Sequence, residues 1–177
     1  ENVGLKKDIR NFIISNYLGK EHNEEIVSFY ENEIIQNDEI LYNLIYSGSL
    51  FSSQKVITVY DATDKIIKNV EDIHEKYPDN IVLIFVSDIL EKRSKLRSFF
   101  EKEEKTICVP CYLDNSKDLE IILNNELRKI NLTISKESRN LLIEKSNSDR
   151  NNLRNEIKKI ESYALNKKKV DIEEIRS

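Results

Sequence analysis

Ile81-Val82-Leu83-Ile84-Phe85-Val86 is an unbroken apolar run of strand length, with the turn pair Pro78-Asp79 just ahead of it. A strand with one face in water alternates apolar and polar residues; a continuous run marks a strand covered on both faces, as in a parallel sheet flanked by helices. The neighbouring sequence agrees. Val56-Ile57-Thr58-Val59-Tyr60 is short and β-branched, Ile26-Val27-Ser28-Phe29-Tyr30 is similar, and Thr106-Ile107-Cys108-Val109, closed by Pro110, reads as a last strand. Between them run helical stripes: Leu5, Ile9, Phe12 and Ile13; then Ile40, Leu41, Leu44 and Ile45, stopping at Gly48; then Ile66, Ile67, Val70 and Ile73; then Leu96, Phe99 and Phe100. Strands alternating with helices up to about Tyr112 predict an α/β domain over residues 1–113.

Beyond that point the pattern is helical only. Leu119, Ile122, Leu123 and Leu127 mark one helix, and Ser135 caps a second that carries Leu141, Leu142 and Ile143. Asp149 caps a third with Leu153, Ile157, Ile160 and Tyr163 on one stripe, and Val170-Asp171-Ile172-Glu173-Glu174 begins a fourth. Residues 114–177 are therefore expected to form a small all-helical domain, with the boundary near Asp114.

Composition narrows the function classes. The 177 residues carry a net charge of −4, against the basic excess expected of a chain that grips duplex DNA by itself. No apolar run approaches the roughly 20 residues that span a bilayer, and no secretory pattern is seen at the start. Two cysteines make no disulfide framework, so a cytoplasmic setting is expected.

A small α/β domain followed by a helical lid resembles the plan of AAA+ ATPases. Their chemistry needs a Gly-rich loop ending in Gly-Lys-Ser/Thr ahead of the first helix, to hold phosphates and Mg²⁺. Here that place holds Glu1-Asn2-Val3-Gly4-Leu5-Lys6-Lys7-Asp8, with one glycine and no Gly-Lys-Ser/Thr. The strand that would carry a metal-binding acid ends Val59-Tyr60-Asp61-Ala62, without a neighbouring Glu. No catalytic residue, cofactor or metal is expected, and no ATP turnover.

Cys108-Val109-Pro110-Cys111 is the competing motif. A Cys-x-x-Cys pair can be a redox couple or half of a zinc site. Zinc needs two further ligands, and His22 and His74 are not in a paired spacing. The next residues, Tyr112-Leu113-Asp114-Asn115-Ser116, read as a linker and not as the helix that a thioredoxin-type pair opens. A thiol redox or metal-binding protein using these cysteines, or a degenerate AAA+ nucleotide-binding protein, is the alternative reading.

An ordered set of segments resembles the delta subunit of bacterial DNA polymerase III. Ser49-Leu50-Phe51-Ser52-Ser53-Gln54-Lys55-Val56-Ile57-Thr58-Val59 is similar to that family's Ser-Leu-Phe element ahead of a strand of this type. Asp88-Ile89-Leu90-Glu91-Lys92-Arg93-Ser94-Lys95-Leu96 resembles its Asp-x-Arg-x-x-Leu turn, loosely spaced. Asp149-Arg150-Asn151-Asn152-Leu153-Arg154-Asn155-Glu156-Ile157-Lys158-Lys159-Ile160 resembles its signature helix, and Val170-Asp171-Ile172-Glu173-Glu174-Ile175 the pattern after it. The glycine usual before the signature helix is replaced by Ser146-Asn147-Ser148. The family's opening strand and its carboxy-terminal collar domain have no counterpart, so the chain is expected to be a fragment.

The resemblance implies a non-catalytic clamp-loader subunit, part of a DNA polymerase only by membership of the complex. Leu50 and Phe51, flanked by Ser49 and Ser52, would enter a pocket on the sliding clamp (beta) and favour its open form. Without the resemblance, a Leu-Phe pair ahead of a strand reads as core. The further implied partners are the gamma/tau ATPase and delta prime subunits, through the collar domain, with DNA met only in the assembled complex.

Overall fold

The computed structural model describes residues 2–18, 24–46, 54–163 and 169–170. The chain divides into two compact units, Lys7–Pro110 and Glu1–Lys6 with Cys111–Ser177. The first residues, read above with the α/β domain, thus group with the helical residues.

In the first unit, α1 (Val3–Tyr17, beginning in the other unit) is followed by β1 (Glu24–Tyr30), α2 (Glu31–Gln36), α3 (Glu39–Tyr46) and β2 (Gln54–Tyr60). A 3₁₀ turn at Asp64–Ile66 leads into α4 (Ile67–Glu75), β3 (Ile81–Val86) and α5 (Lys95–Lys102). The strands form a parallel sheet in the order β1-β2-β3, with Val27, Ile57 and Leu83 in one register row. Side chains alternate faces along a strand. Ile57 and Val59 therefore join Ile34, Leu41, Ile45, Ile66, Val70, Ile73 and Leu96 in one core. On the opposite face, Arg10 of α1 donates from Nε to the Thr58 hydroxyl at 3.0 Å and lies 6.0 Å from the centre of the Tyr60 ring. Carboxylates stitch the loops that follow the strands. Glu31 accepts from the Thr63 N–H and hydroxyl, and Asp64 accepts from the Ser94 hydroxyl and the Leu96 N–H.

Two expectations are corrected. Thr106–Val109 is not a strand; residues 106–115 carry no regular structure. Ile107 is 83% exposed and Val109 48%, so the segment lacks a covered apolar face, and β propensity without one does not make a strand. β3 is not covered on both faces along its length either. It is an edge of the described sheet, with Ile81 buried and the next five residues half-buried.

The second unit holds α6 (Ser116–Lys129), β4 (Thr133–Ile134), α7 (Lys136–Lys145), α8 (Arg150–Tyr163) and β5 (Lys169–Val170), with β4 and β5 paired in parallel. Leu119, Leu123 and Leu127 of α6 pack with Leu142, Leu153, Ile157 and Ile160. Each helix start is capped by a side chain, which satisfies N–H groups that lack a partner in the helix. Asn115 accepts from the N–H groups of Lys117 and Asp118, Ser135 from Ser138, and Asp149 from Asn151 and Asn152. Among the described residues no helix is long and apolar enough to cross a membrane.

Candidate partner-binding site

Ser49, Leu50, Phe51 and Ser52 lie outside the described residues, which stop at Tyr46 and resume at Gln54. What the structure describes is the elements on either side of them in the sequence, the end of α3 and the start of β2. Leu41 and Ile45 bury the inner side of α3, while Ile40 and Tyr46 stay 41% and 45% exposed. Tyr42 and Tyr46 stack at 6.4 Å along the same helix.

Lys55, to which the sequence reading assigns no role of its own, joins the two elements. Its side chain shares a face with Ile57 and Val59 and the residue is 3% exposed. An ammonium buried on an apolar face must be held by polar partners. Nζ donates to the Leu44 carbonyl in the last turn of α3 at 2.9 Å, and lies 3.4 Å from a Glu25 carboxylate oxygen. The Leu44 carbonyl belongs to the negative end of the helix, where a cation is favoured. Glu25 faces Lys55 across the β1–β2 ladder, and the Lys55 N–H donates to Asn80 O at 3.0 Å. The signal was legible in parity alone: positions 55, 57 and 59 point the same way, so the lysine points inward.

In the segment that the sequence suggests as a degenerate phosphate loop, Asn2 is held by the chain's own groups. Asn2 Oδ1 accepts from the Leu5 N–H at 2.9 Å, capping α1, and Asn2 Nδ2 donates to Asp114 Oδ2 at 2.9 Å and to Tyr112 O at 3.1 Å. Arg150 Nε donates to the same Asp114 oxygen at 2.9 Å, and Nη2 donates to the other one. Gly4 packs against this arginine; a Cβ there would meet Arg150 Cγ at 2.5 Å. Burial opposes the Asp114 charge, but the hydrogen bonds from Arg150 and Asn2 and the guanidinium charge outweigh it and hold the carboxyl below its ordinary pKa. Asp61 sits exposed in the turn after β2 with φ 56°, the left-handed conformation of a turn residue.

Among the described residues the two cysteines and His74 assemble no centre. Cys108 and Cys111 form no disulfide, and the first is exposed and the second half-buried. Desolvation first and the Glu101 charge second raise the Cys108 thiol above its ordinary pKa, against Arg97, so the reactive thiolate is disfavoured. His22 lies outside the described residues. His74 Nε2 lies 3.4 Å from the Glu103 carboxylate, and its ring meets Phe99 edge-on. Among the described residues no group of three or more His, Cys, Asp or Glu could hold a metal ion. An open depression of about 380 Å³ at the carboxyl ends of β2 and β3 is lined by Thr63, Asp64, Lys65, Leu90, Arg93 and Ser94. Parallel sheets often bind ligands at that end, yet Asp64 is already engaged there in capping α5.

A family model described as "DNA polymerase III, delta subunit" matches residues 2–112. A curated relative, the probable DNA polymerase III subunit delta of Rickettsia prowazekii, is 30% identical over 109 residues, which are 62% of this chain and 33% of that protein. The match thus spans about a third of the relative's length. Among solved structures, a DNA clamp loader delta protein of Bacillus subtilis aligns with a TM-score of 0.51 at 11% identity, covering 97% of this chain and 61% of that one. A RuvB variant of Thermotoga maritima aligns with a TM-score of 0.64 at 12% identity, covering 96% and 55%. At such identities the structural likeness establishes the fold alone, the AAA+-like α/β arrangement with a helical unit.

Proposed function

The chain belongs to the DNA polymerase III delta-subunit family, and on that premise we propose that it is a non-catalytic clamp-loader subunit that binds the sliding clamp and favours its open form. The observation that carries this is the family match, whose span includes the Ser49–Ser52 element and the two elements that flank it in sequence. In this reading Leu50 and Phe51 enter an apolar pocket as a hot spot, each contributing on the order of 1.5–3 kcal/mol by burial. The exposed Tyr46 on α3 supplies apolar surface close in sequence to that pair. Opening a ring needs only tighter binding to the open form, so no chemistry is asked of this chain.

Residues 1–113 would carry the clamp-binding function and residues 114–177 a lid. The other loader subunits, including those that hydrolyse ATP, and DNA would be met in the cytoplasmic assembly. Two features speak against the enzyme readings. The amino end of α1 and Arg150 are engaged with Asn2 and Asp114, which leaves little for a nucleotide phosphate, and the Cys108 thiol is shifted away from the thiolate.

Calorimetric titration of the chain into the sliding clamp of the same organism tests the proposal. Wild type is expected to bind, and the Leu50→Ala, Phe51→Ala double variant to lose at least about a hundredfold in affinity at unchanged helicity. A folded wild-type chain that does not bind the clamp removes the proposal; equal binding by both chains moves the site elsewhere.

A further inference from the structure

On the sheet face opposite the Ile57 and Val59 core, β1 and β2 end in a cation and two aromatic rings. Ser28 and Thr58 share one register row, and Tyr30 and Tyr60 share the last row of the two strands. Alternation along each strand puts all four side chains on this face. Arg10 of α1 reaches both rows. Its Nε donates to the buried Thr58 hydroxyl at 3.0 Å, its Nη2 to the exposed Ser28 hydroxyl at 3.4 Å, and its guanidinium carbon lies 6.0 Å from the centre of the Tyr60 ring. The Tyr60 ring meets the Tyr30 ring at 5.9 Å, and Tyr30 is 56% exposed. All these residues belong to the Lys7–Pro110 unit. The partners of Arg10 are neutral, and among the described residues no carboxylate pairs with it. A half-buried guanidinium has given up part of its hydration, and hydroxyls and a ring face return no counter-charge. The N–H donors on Nη1 are unused among the described residues.

We infer that Arg10, Tyr30 and Tyr60 form a contact surface for single-stranded nucleic acid, with a phosphate on the Arg10 guanidinium and a base stacked on the exposed Tyr30 ring. The two halves of the cluster select this ligand together. A guanidinium presents planar N–H donors that phosphate oxygens match. An exposed tyrosine ring is a platform on which any base can stack. An acidic peptide would use the cation and leave the ring idle, and an apolar peptide would do the reverse. A nucleotide carries a phosphate and a planar base in one unit. Bases of a duplex are stacked on one another and do not reach a side-chain ring, so an unpaired strand is the form that fits. Tyr60 touches both partners and holds them as one cluster. The net charge of −4 and Asp61, exposed directly after Tyr60, keep the binding weak, with a Kd on the order of 100 μM at low salt. Leu50 and Phe51 take no part, so this surface is independent of clamp binding.

Fluorescence anisotropy of a labelled oligothymidylate of about twelve nucleotides, titrated with the whole chain at low salt, is the test. Circular dichroism sets a temperature at which every variant is folded. Wild type is expected to bind the strand, and to bind a duplex of the same length at least about fivefold more weakly. Tyr30→Ala is expected to raise Kd about fivefold, whereas Tyr30→Phe, which keeps the ring, stays within about twofold. Arg10→Gln is expected to raise Kd about fivefold and to lower the slope of log K against log salt by about 0.7, the share of one phosphate on a single strand. An arginine that only braced the sheet would leave that slope unchanged. If Arg10→Gln does not fold, the exposed Tyr30 variants carry the test. Tyr112→Ala, at a tyrosine 75% exposed in the other unit, is expected to keep wild-type affinity. A folded wild-type chain that does not bind the strand overturns the inference, as does an equal loss in Tyr30→Ala and Tyr112→Ala. Loss in Arg10→Gln with wild-type affinity in Tyr30→Ala means an anion site with no base platform, and overturns it too. Displacement of the strand by thymidine monophosphate as readily as by unlabelled oligomer means a site for free nucleotide, and overturns the assignment to a strand.

Discussion

Lys55 and Asp114 are both buried charges, 3% and 5% exposed, one in each unit, and they are held in opposite ways. Asp114 closes on partners that water barely reaches: Asn2 is 2% exposed and the Arg150 side chain 11%. Lys55 reaches outward, to a helix-end carbonyl and to Glu25, whose side chain is 37% exposed. Removing Asp114 would leave Arg150 buried without the carboxylate that neutralises it. Removing the Lys55 charge would leave Glu25 where water can reach it. The difference separates a charge that holds a unit together from one whose main effect is geometric.

The sharpest way to break this comparison is to delete each charge and measure folding stability by urea unfolding. Asp114→Ala is expected to cost about 3 kcal/mol, the usual consequence of opening a buried, hydrogen-bonded pair from one side. Lys55→Met, which fills the same space with an apolar chain, is expected to cost about 1 kcal/mol or less. Equal losses would erase the distinction and make Lys55 as architectural as Asp114.

Acid separates the two next. The Asp114 carboxyl is held below its ordinary value by Arg150 and Asn2 despite burial. Its stabilising contribution is therefore fully present above the unfolded carboxyl value, near pH 4, and is lost as pH falls through the lower folded value. Asp64, held down mainly by the Ser94 hydroxyl, and Glu137, held down mainly by a backbone hydrogen bond, share the sign. Urea midpoints taken from pH 6 to pH 2 should fall below about pH 4 in the wild-type chain, and fall less steeply in Asp114→Asn. Parallel curves would assign the acid sensitivity to the other carboxylates.

The legible and illegible parts of the chain divide along the same physical line. Patterns carried by neighbours in sequence were readable: the β-branched runs of β1 and β2, the leucine stripe of α6, and the Ser135 and Asp149 caps all stand where local periodicity puts them. Thr106–Val109 has the same local look as a strand, but a strand exists only with a ladder partner and a covered face, and neither is encoded in those four residues. The Asn2–Asp114–Arg150 network joins residues 112 and 36 positions apart, with no periodic signature at any of them. Lys55 was half legible. Parity shows that it points inward, but its partner is a backbone carbonyl, and backbone acceptors leave no mark in sequence. The Leu50–Phe51 element rests on the family resemblance, since its residues lie outside those described.

The smallest effect concerns the turn that delivers Arg150. Asn147 and Ser148 both adopt left-handed backbone, φ 50° and 59°, immediately before Asp149 caps α8. Asparagine tolerates that conformation, whereas serine carries a steric cost of roughly 1 kcal/mol that glycine avoids. Glycine also loses more conformational freedom on folding, which returns part of the gain. Ser148→Gly is therefore expected to stabilise the chain by about 0.5 kcal/mol, a rise of one to a few degrees in melting temperature. The same substitution in the Asp114→Ala background sharpens the comparison. If the strain belongs to the turn alone, the gain is unchanged when the carboxylate is gone, because independent contributions add. If the gain disappears with Asp114, the turn is held in its left-handed form by the arginine it delivers, and the network around Asp114 extends to the Ser146–Ser148 corner of the helical unit.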